Sequence, residues 1–462
     1  MEVISGKEFQ TIIYSDNAET ISDFIVEINT SLNIDLEKVK LSITFSNVKF
    51  QGKQIRFYKI KKECLHHFRF DKCTFESNTF IESDFEDITF ISNTFNCDKF
   101  HIYKSTIGVL EFFDDDSNSE NIKNNIFSKG NFKIDECEFN SVFWLKNIKF
   151  SEKTNIDFST VKFHNGCFFD SISLNKIMFY NCNFLKEFRY DIFYNSSTFR
   201  ECSFLGLTTF SGLPSVNSSF LWFENCHFFK LANFNNYWLH KLRIEETTFS
   251  DNVSFQQTYF DIVSFIRIIF EKKVWFDDIR IKKIGNCDRT TIRTIKQELQ
   301  KAENKIDYNR FRIYEFNAYK EEIKQKLIDF KKDKNHFYHR KREPIQLSRD
   351  LFILKISDLV SEYGTDWKRA FYFTTFTGFI SFLIFYILEN WNYNFDFKYY
   401  EDFLYGYFRF FLITDFKNEY YKSGESILKF NCFISLLPFI IGKIAVAFGL
   451  YEMIQSFRKF KA

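Results

Sequence analysis

Phenylalanine recurs every fifth residue at Phe70, Phe75, Phe80, Phe85, Phe90, Phe95 and Phe100. No α-helix or flat β-strand has that period, because their apolar faces repeat every 3.6 and every 2 residues. Four pentads make a square coil of about 20 residues, with one large side chain per side pointing inward and successive coils pairing backbones at roughly 4.8 Å. The pattern therefore predicts a right-handed β-solenoid. The spacing returns at Phe158, Phe163 and Phe168, at Phe179 and Phe184, at Phe199 and Phe204, and at Phe255, Phe260, Phe265 and Phe270. These positions extend the solenoid over residues 41–287. Against 66 Phe the chain has only 14 Gly and 3 Pro, too few of the usual turn formers, so some other device must turn each corner.

Two residues before many ladder positions stands a small side chain. Five of these are cysteines in a Cys-x-Phe pattern: Cys73, Cys137, Cys182, Cys202 and Cys226. Sharing the inward corner with Phe, they are expected to stack as small hydrophobes inside the column. This stretch resembles the pentapeptide-repeat family, whose motif places a small residue two positions before a central Leu or Phe. Residues 1–40 are expected to form an N-terminal cap, with a helical pattern at Ile21, Phe24, Ile25 and Ile28. The first ten residues, MEVISGKEFQ, contain no basic segment leading into an apolar one, so no cleavable signal is expected and the solenoid is read as cytosolic.

The formal net charge of +2 excludes a surface built throughout to embrace nucleic acid, so an anionic partner must use a local patch. Arg56, Tyr58, Lys59, Lys61, Lys62, Arg69 and Lys72 cluster at the N-terminal end, with His66 and His67 among them. Such a mixture suits phosphate binding and base stacking, although a solvated solenoid face is the simpler reading. Two interruptions of the ladder, Asp114 to Asn125 and Leu213 to Ser219, are further places where a specific surface can be built.

From Asp288 the period changes. Ile292, Ile295, Leu299 and Ala302 share one helical face, and Asn309 to Ile323 continues as a second amphipathic helix, giving a connector over 288–369. It resembles the helical connector of bacterial pentapeptide-repeat proteins that end in transmembrane helices. Lys331 to Arg342, KKDKNHFYHRKR, reads as a juxtamembrane basic stretch in contact with anionic lipid, and its His336 and His339 have no partner at metal-ligand spacing.

Ala370 to Leu388 carries no charge over 19 residues and Phe430 to Tyr451 is the second long apolar run, so 370–462 is expected to be a two-helix membrane module. Basic flanks place both termini on the cytoplasmic side. Between the helices, Phe403 to Thr414 is apolar but too short to span, as in a re-entrant or interfacial helix. That order is similar to two-helix pore modules, without their potassium filter sequence. Lys443 inside the second run, together with Arg409 and Asp415, are the candidate pore-lining residues; snorkelling to headgroups is the alternative for Lys443.

The sequence carries no P-loop, Gly-x-Gly-x-x-Gly, His-Glu-x-x-His or nucleophile elbow, so neither an enzyme nor a cofactor or metal is expected. A cytosolic sensor joined to a minimal membrane module resembles the transmembrane effectors of bacterial anti-phage systems, the Hailong system among them. That resemblance implies a homo-oligomeric pore, most simply a tetramer, in the bacterial inner membrane. It also implies control by a nucleotide or short DNA signal from a partner nucleotidyltransferase. The competing expectation is a membrane-anchored scaffold whose solenoid recruits protein partners without conducting ions.

Overall fold

In the computed structural model of this protein the Phe ladder closes into a parallel β-solenoid of about 11 turns, followed by helices. The residues described are 1–59, 67–113, 125–146, 148–173, 176–193, 196–211, 219–332, 342–389, 400–414 and 433–458. They form two compact units, Met1–Ala302 and Glu303–Ala462.

Every strand pairing in the solenoid is parallel and joins one coil to the next. A regular coil contributes one long strand and two short ones. Trp238–Glu245, Thr248–Phe249 and Val253–Ser254 pair in order with Tyr259–Ile266, Ile269–Phe270 and Val274–Trp275. In-register pairing stacks similar side chains on one another. One inward column runs Phe45, Phe70, Phe90, Phe112, Leu145, Phe169, Tyr190 and Phe210, then stacks on through Phe234, Phe255 and Phe276. A second runs Phe139, Phe163, Phe184, Phe204, Phe228 and Phe249, with ring centroids 5.3, 5.0, 4.8, 4.4 and 4.6 Å apart. Those distances match the roughly 4.8 Å between paired strands, so each ring lies flat on the next.

Phe80 and Phe168 depart from the expected ladder. Both are half-buried on the outer surface, while Ile81 and Phe169 take the inward positions. Within a strand, side chains alternate faces, and that two-residue rule overrides a five-residue count wherever a coil is longer than 20 residues. Phe184 pairs with Phe204, but Phe204 pairs with Phe228.

Left-handed backbone turns the coils in place of glycine. Lys72, Glu136, Asn181, Glu201 and Asn225 all have φ between 51° and 56°, and each immediately precedes one of the five Cys-x-Phe cysteines. This conformation costs a non-glycine residue on the order of 1 kcal/mol. A hydrogen bond offsets it at every one of these turns: the left-handed residue's N–H donates to a carbonyl of the next coil at 2.9–3.0 Å, as from Lys72 to Ile91 and from Asn181 to Arg200. The cysteine that follows points inward, and its thiol lies within donating reach of the carbonyl two residues back, at 3.5 Å for Cys73 on Asp71 and 3.1 Å for Cys137 on Asp135. Asn93, Ser105 and Thr247 occupy the same corner in other coils. Ser105 and Thr247 donate likewise, at 3.0 and 2.8 Å, and Asn93 bonds to the coils on either side. The corner thus selects a small donor, which is more than the small hydrophobe expected from spacing.

The solenoid begins well before residue 41. Glu2–Ser5, Thr20–Ser22 and Phe24–Asp35 are strands in parallel register with later coils, which corrects the helical reading of Ile21 to Ile28. Val26, Ile28, Leu32 and Ile34 are the buried positions, a strand's alternation, whereas Phe24 and Ile25 are half-buried. A helix does cap the end, but it is α1, Gly6–Ile13, started by a Ser5/Glu8 capping box and seating buried Phe9 against Phe45 and Phe50. At the far end α2, Arg289–Lys301, buries Ile292, Ile295 and Leu299 as expected. Its Thr291 hydroxyl accepts the Phe265 N–H at 2.7 Å. α2 therefore belongs to the solenoid as its C-terminal cover, where the sequence had assigned it to the connector.

The eight described cysteines are buried and unpaired. Burial pushes the Cys73 and Cys137 thiols up to about 12. Because these folded values lie above the ordinary thiol value of about 8.5, the thiols favour the fold fully below that pH, and the contribution is lost as pH rises toward 12. Ellman's reagent is expected to leave them unmodified at pH 8 until the chain is unfolded, and the urea midpoint is expected to fall between pH 8 and pH 10. Phe204→Ala, which removes a ring stacked on both sides, is expected to cost about 3–5 kcal/mol in denaturant titration.

Candidate functional site

The second unit starts with two long helices, α3 at Lys305–Lys332 and α4 at Arg342–Ser361. They pack antiparallel around Ile323 and Leu354, with Lys320 bonded to Asp358 at 2.6 Å and Arg312 to the Tyr363 carbonyl at 2.9 Å. Of the basic stretch from Lys331 to Arg342, residues 333–341 lie outside those described.

Between α4 and the next helix is a tight elbow. Glu362, Tyr363 and Gly364 all take left-handed backbone, an arrangement that persists only where its surroundings over-determine it. Here they do. The Tyr363 ring packs 5.0 Å from Phe316, its hydroxyl donates to Asn317 at 3.1 Å, and the Gly364 N–H donates to the Ser361 hydroxyl at 2.7 Å. Ser361 in turn donates to the buried carboxylate of Glu452 on the last helix. A cleft of about 460 Å³ opens beside this elbow, lined by Arg310 and Ile313 of α3 and by Asp366 and Trp367. One knot of contacts thus ties the connector to both long apolar helices.

Those helices are α5, Trp367–Glu389, and α7, Leu436–Arg458, both long and apolar enough to cross a membrane. Only 28% and 33% of their apolar stretches are buried, whereas the core helix of a soluble protein is mostly covered. Ile380, Ile384, Ile440 and Ile444 are among the exposed side chains. The two helices touch through small residues. A Cβ on Gly449 would stand 2.1 Å from the Thr374 hydroxyl, and one on Gly442 would stand 2.4 Å from Ser381. At this contact Gly442 and Gly449 are buried, whereas the nearby Ala445 and Ala447 are half-buried.

The short apolar segment folds as α6, Tyr400–Phe410. Phe403 packs on Phe382 and Tyr386, the Tyr407 hydroxyl donates to the Thr375 carbonyl at 3.2 Å, and the Phe411 ring lies against Gly378. The segment therefore runs antiparallel to α5, and its C-terminal end reaches the mid-length of both α5 and α7. Arg409 is half-buried there, with its guanidinium over the Tyr405 ring; Asp415 is outside the described residues.

Lys443 is 3% exposed and donates to the carbonyls of Phe410 at 2.9 Å and Leu412 at 2.7 Å. The position differs from the snorkelling expected of a lysine near a helix end. Snorkelling fails because α7 continues to Arg458, which puts Lys443 some 15 residues, or about 22 Å, from that end. Within one copy the ammonium is covered by its own chain.

On the solenoid, the candidate ligand-binding residues divide. Arg56 and Tyr58 lie on the strand that pairs with Asn78–Glu82, and Arg56 forms an ion pair with Glu82. The Tyr103 hydroxyl donates to the same carboxylate at 2.7 Å. Burial pushes Glu82 up, but the Tyr103 and Arg56 contacts outweigh it and hold the carboxyl below the usual range. An anion reaching Arg56 must compete with that carboxylate. The Lys59 amine is buried nearby, without a partner among the described residues. Arg69 lies on a different strand stack, between Thr44 and Thr89, and is exposed, as is Lys72 at its turn. Lys61 and Lys62 are outside the described residues. Glu82 and Tyr103 had not been legible, because they come from coils 26 and 47 residues downstream of Arg56.

Comparison with known proteins returns no match: no family model, curated protein or solved structure is significantly similar to the chain. Gly449→Ala is expected to destabilise the helical unit by about 1–3 kcal/mol through collision with Thr374. Thermal melting of the detergent-solubilised protein checks this, with Ile444→Ala on the exposed face expected to change little.

Proposed function

We propose that this protein is a ligand-gated membrane effector. The solenoid senses an anionic cytosolic signal, a nucleotide or short oligonucleotide made by a partner enzyme, and α5 to α7 of several copies form an ion-conducting pore. The observation that carries the reading is α6, which ends at the mid-length of two apolar helices, with its own Arg409 and Lys443 of α7 close to that end. A charged group at such a depth costs about 2.5–3.5 kcal/mol even on the lowest scale, so Lys443, sheltered from lipid and held by two carbonyls, supports a functional role for this end of α6. With α5 and α7 crossing the bilayer, α6 is re-entrant rather than interfacial.

Lys368 and Arg369 at the start of α5 and Arg458 at the end of α7 support a cytoplasmic location for both outer ends, in the inner membrane of a bacterium. Among the described residues α5 and α7 pack closely at Gly442 and Gly449 and leave no water path between them, so conduction needs a symmetric oligomer, most simply a tetramer. The elbow at Glu362 to Gly364 is a suitable coupling point, since it bonds at once to α3 and, through Ser361, to α7. Depolarisation of an infected cell is the effect such a pore would have in anti-phage defence. The same dry helix packing favours the second reading, in which the module is only an anchor for a protein-recruiting solenoid.

Reconstitution of the full chain into liposomes separates the two. Ion flux that changes on adding anionic nucleotides or short oligonucleotides is expected for the effector, and a monomeric mass in detergent with no flux under any ligand supports the anchor. If the exposed Arg69 and Lys72 form the sensing patch, the double change to Glu should weaken binding of an anionic probe at least tenfold; unchanged binding removes the patch from the proposal.

A further inference from the structure

We infer that the C-terminus of α6 is a built site for a primary ammonium, occupied by the chain's own Lys443, and that this occupancy is what keeps α6 seated between α5 and α7. The inference goes beyond the pore reading and does not require that the module conduct.

The last carbonyls of a helix have no partner within it and carry the negative end of its dipole. At the end of α6 the chain tightens, with Phe411 N–H bonded to the Phe408 carbonyl at 3.2 Å and Leu412 N–H to the Arg409 carbonyl at 3.0 Å. The Phe410 and Leu412 carbonyls accept bonds from Lys443 at 2.9 and 2.7 Å. Two aromatic faces also border the ammonium, Phe410 at 5.0 Å and Phe439 at 5.5 Å from the nitrogen. Carbonyl acceptors and ring faces together suit a compact cation that can donate hydrogen bonds. Buried Phe382, Phe385 and Phe439 pack around the same point, which raises the cost of leaving the carbonyls without a donor.

The fit is reciprocal. At Gly442, the neighbour of Lys443, a Cβ would stand 2.7 Å from the Phe410 ring, so the glycine lets that ring lie against α7 beside the ammonium. α6 is also short, and its amphipathic face alone is a small anchor, since Tyr405 and Phe408 are exposed. The ammonium joins α6 to α7 at the point where α6 ends.

Hydrogen exchange of the full chain in detergent, read by mass spectrometry over residues 403–412, tests this with Lys443→Met and Lys443→Ala. Exchange of these amides is expected to rise at least about tenfold in both variants, with the solenoid amides unchanged. Propylammonium, which replaces the atoms that Lys443→Ala removes, is expected to restore protection to that variant, while tetramethylammonium, which has no N–H, is not. Unchanged protection in Lys443→Met, or equal restoration by the two cations, overturns the inference. Should Lys443→Met unfold the whole helical unit, the propylammonium arm on Lys443→Ala decides alone. Ion flux through Lys443→Met in liposomes bears separately on the pore: a released α6 without altered flux supports the ammonium site and counts against conduction.

Discussion

Parallel strands pair at about 4.8 Å, and flat aromatic rings in van der Waals contact settle at nearly the same distance. The solenoid depends on that coincidence. Phe204 lies 4.8 Å from Phe184 and 4.4 Å from Phe228, so backbone pairing and ring stacking are satisfied by one geometry. Any side chain that needed a different rise would set the two against each other. Tyr190 shows the tolerance of the arrangement: it takes a Phe position in the longest column, and its hydroxyl is matched by Ser197 inside the core.

A column of large rings leaves little room at the corners, and the rest of the coil follows from that shortage. The chain turns with one left-handed residue, then sets a small inward donor beside the ring. Neither choice requires glycine, because the strained residue's N–H is recovered by the neighbouring coil. At the two ends of the stack there is no neighbour to supply the pairing, and there the chain places α1 and α2. Deep burial in this column is why the Cys167 and Cys202 thiols are pushed well above the ordinary thiol range and lie out of reach of reagents.

In the helical unit the governing constraint is different. Polar atoms that enter an apolar setting have to be matched. Glu452 is met by Ser361, and the end of α6 by Lys443. These matches are made between segments, so they are also the natural places where a change in one helix is felt by another. The elbow is held against its own backbone strain by Tyr363, Asn317 and Arg312, which gives it one well-defined shape to gain or lose.

Local periodicity was enough to establish the β-solenoid, the inward cysteines, and two helices of membrane-crossing length. Each of these repeats along the chain at short range, and a repeat is visible in one dimension. The direction of Phe80, the strand nature of residues 20–35, the division of Arg56 from Arg69, and the partners of Lys443 were decided only by the tertiary structure. Whether Phe80 faces in or out depends on how long its own coil is. Arg56 is neutralised from the next coil, 26 residues on, and Lys443 is bound to carbonyls 31 and 33 residues before it. Contacts of that span are fixed by which coil or helix comes to lie alongside, and no spacing within a short segment records them.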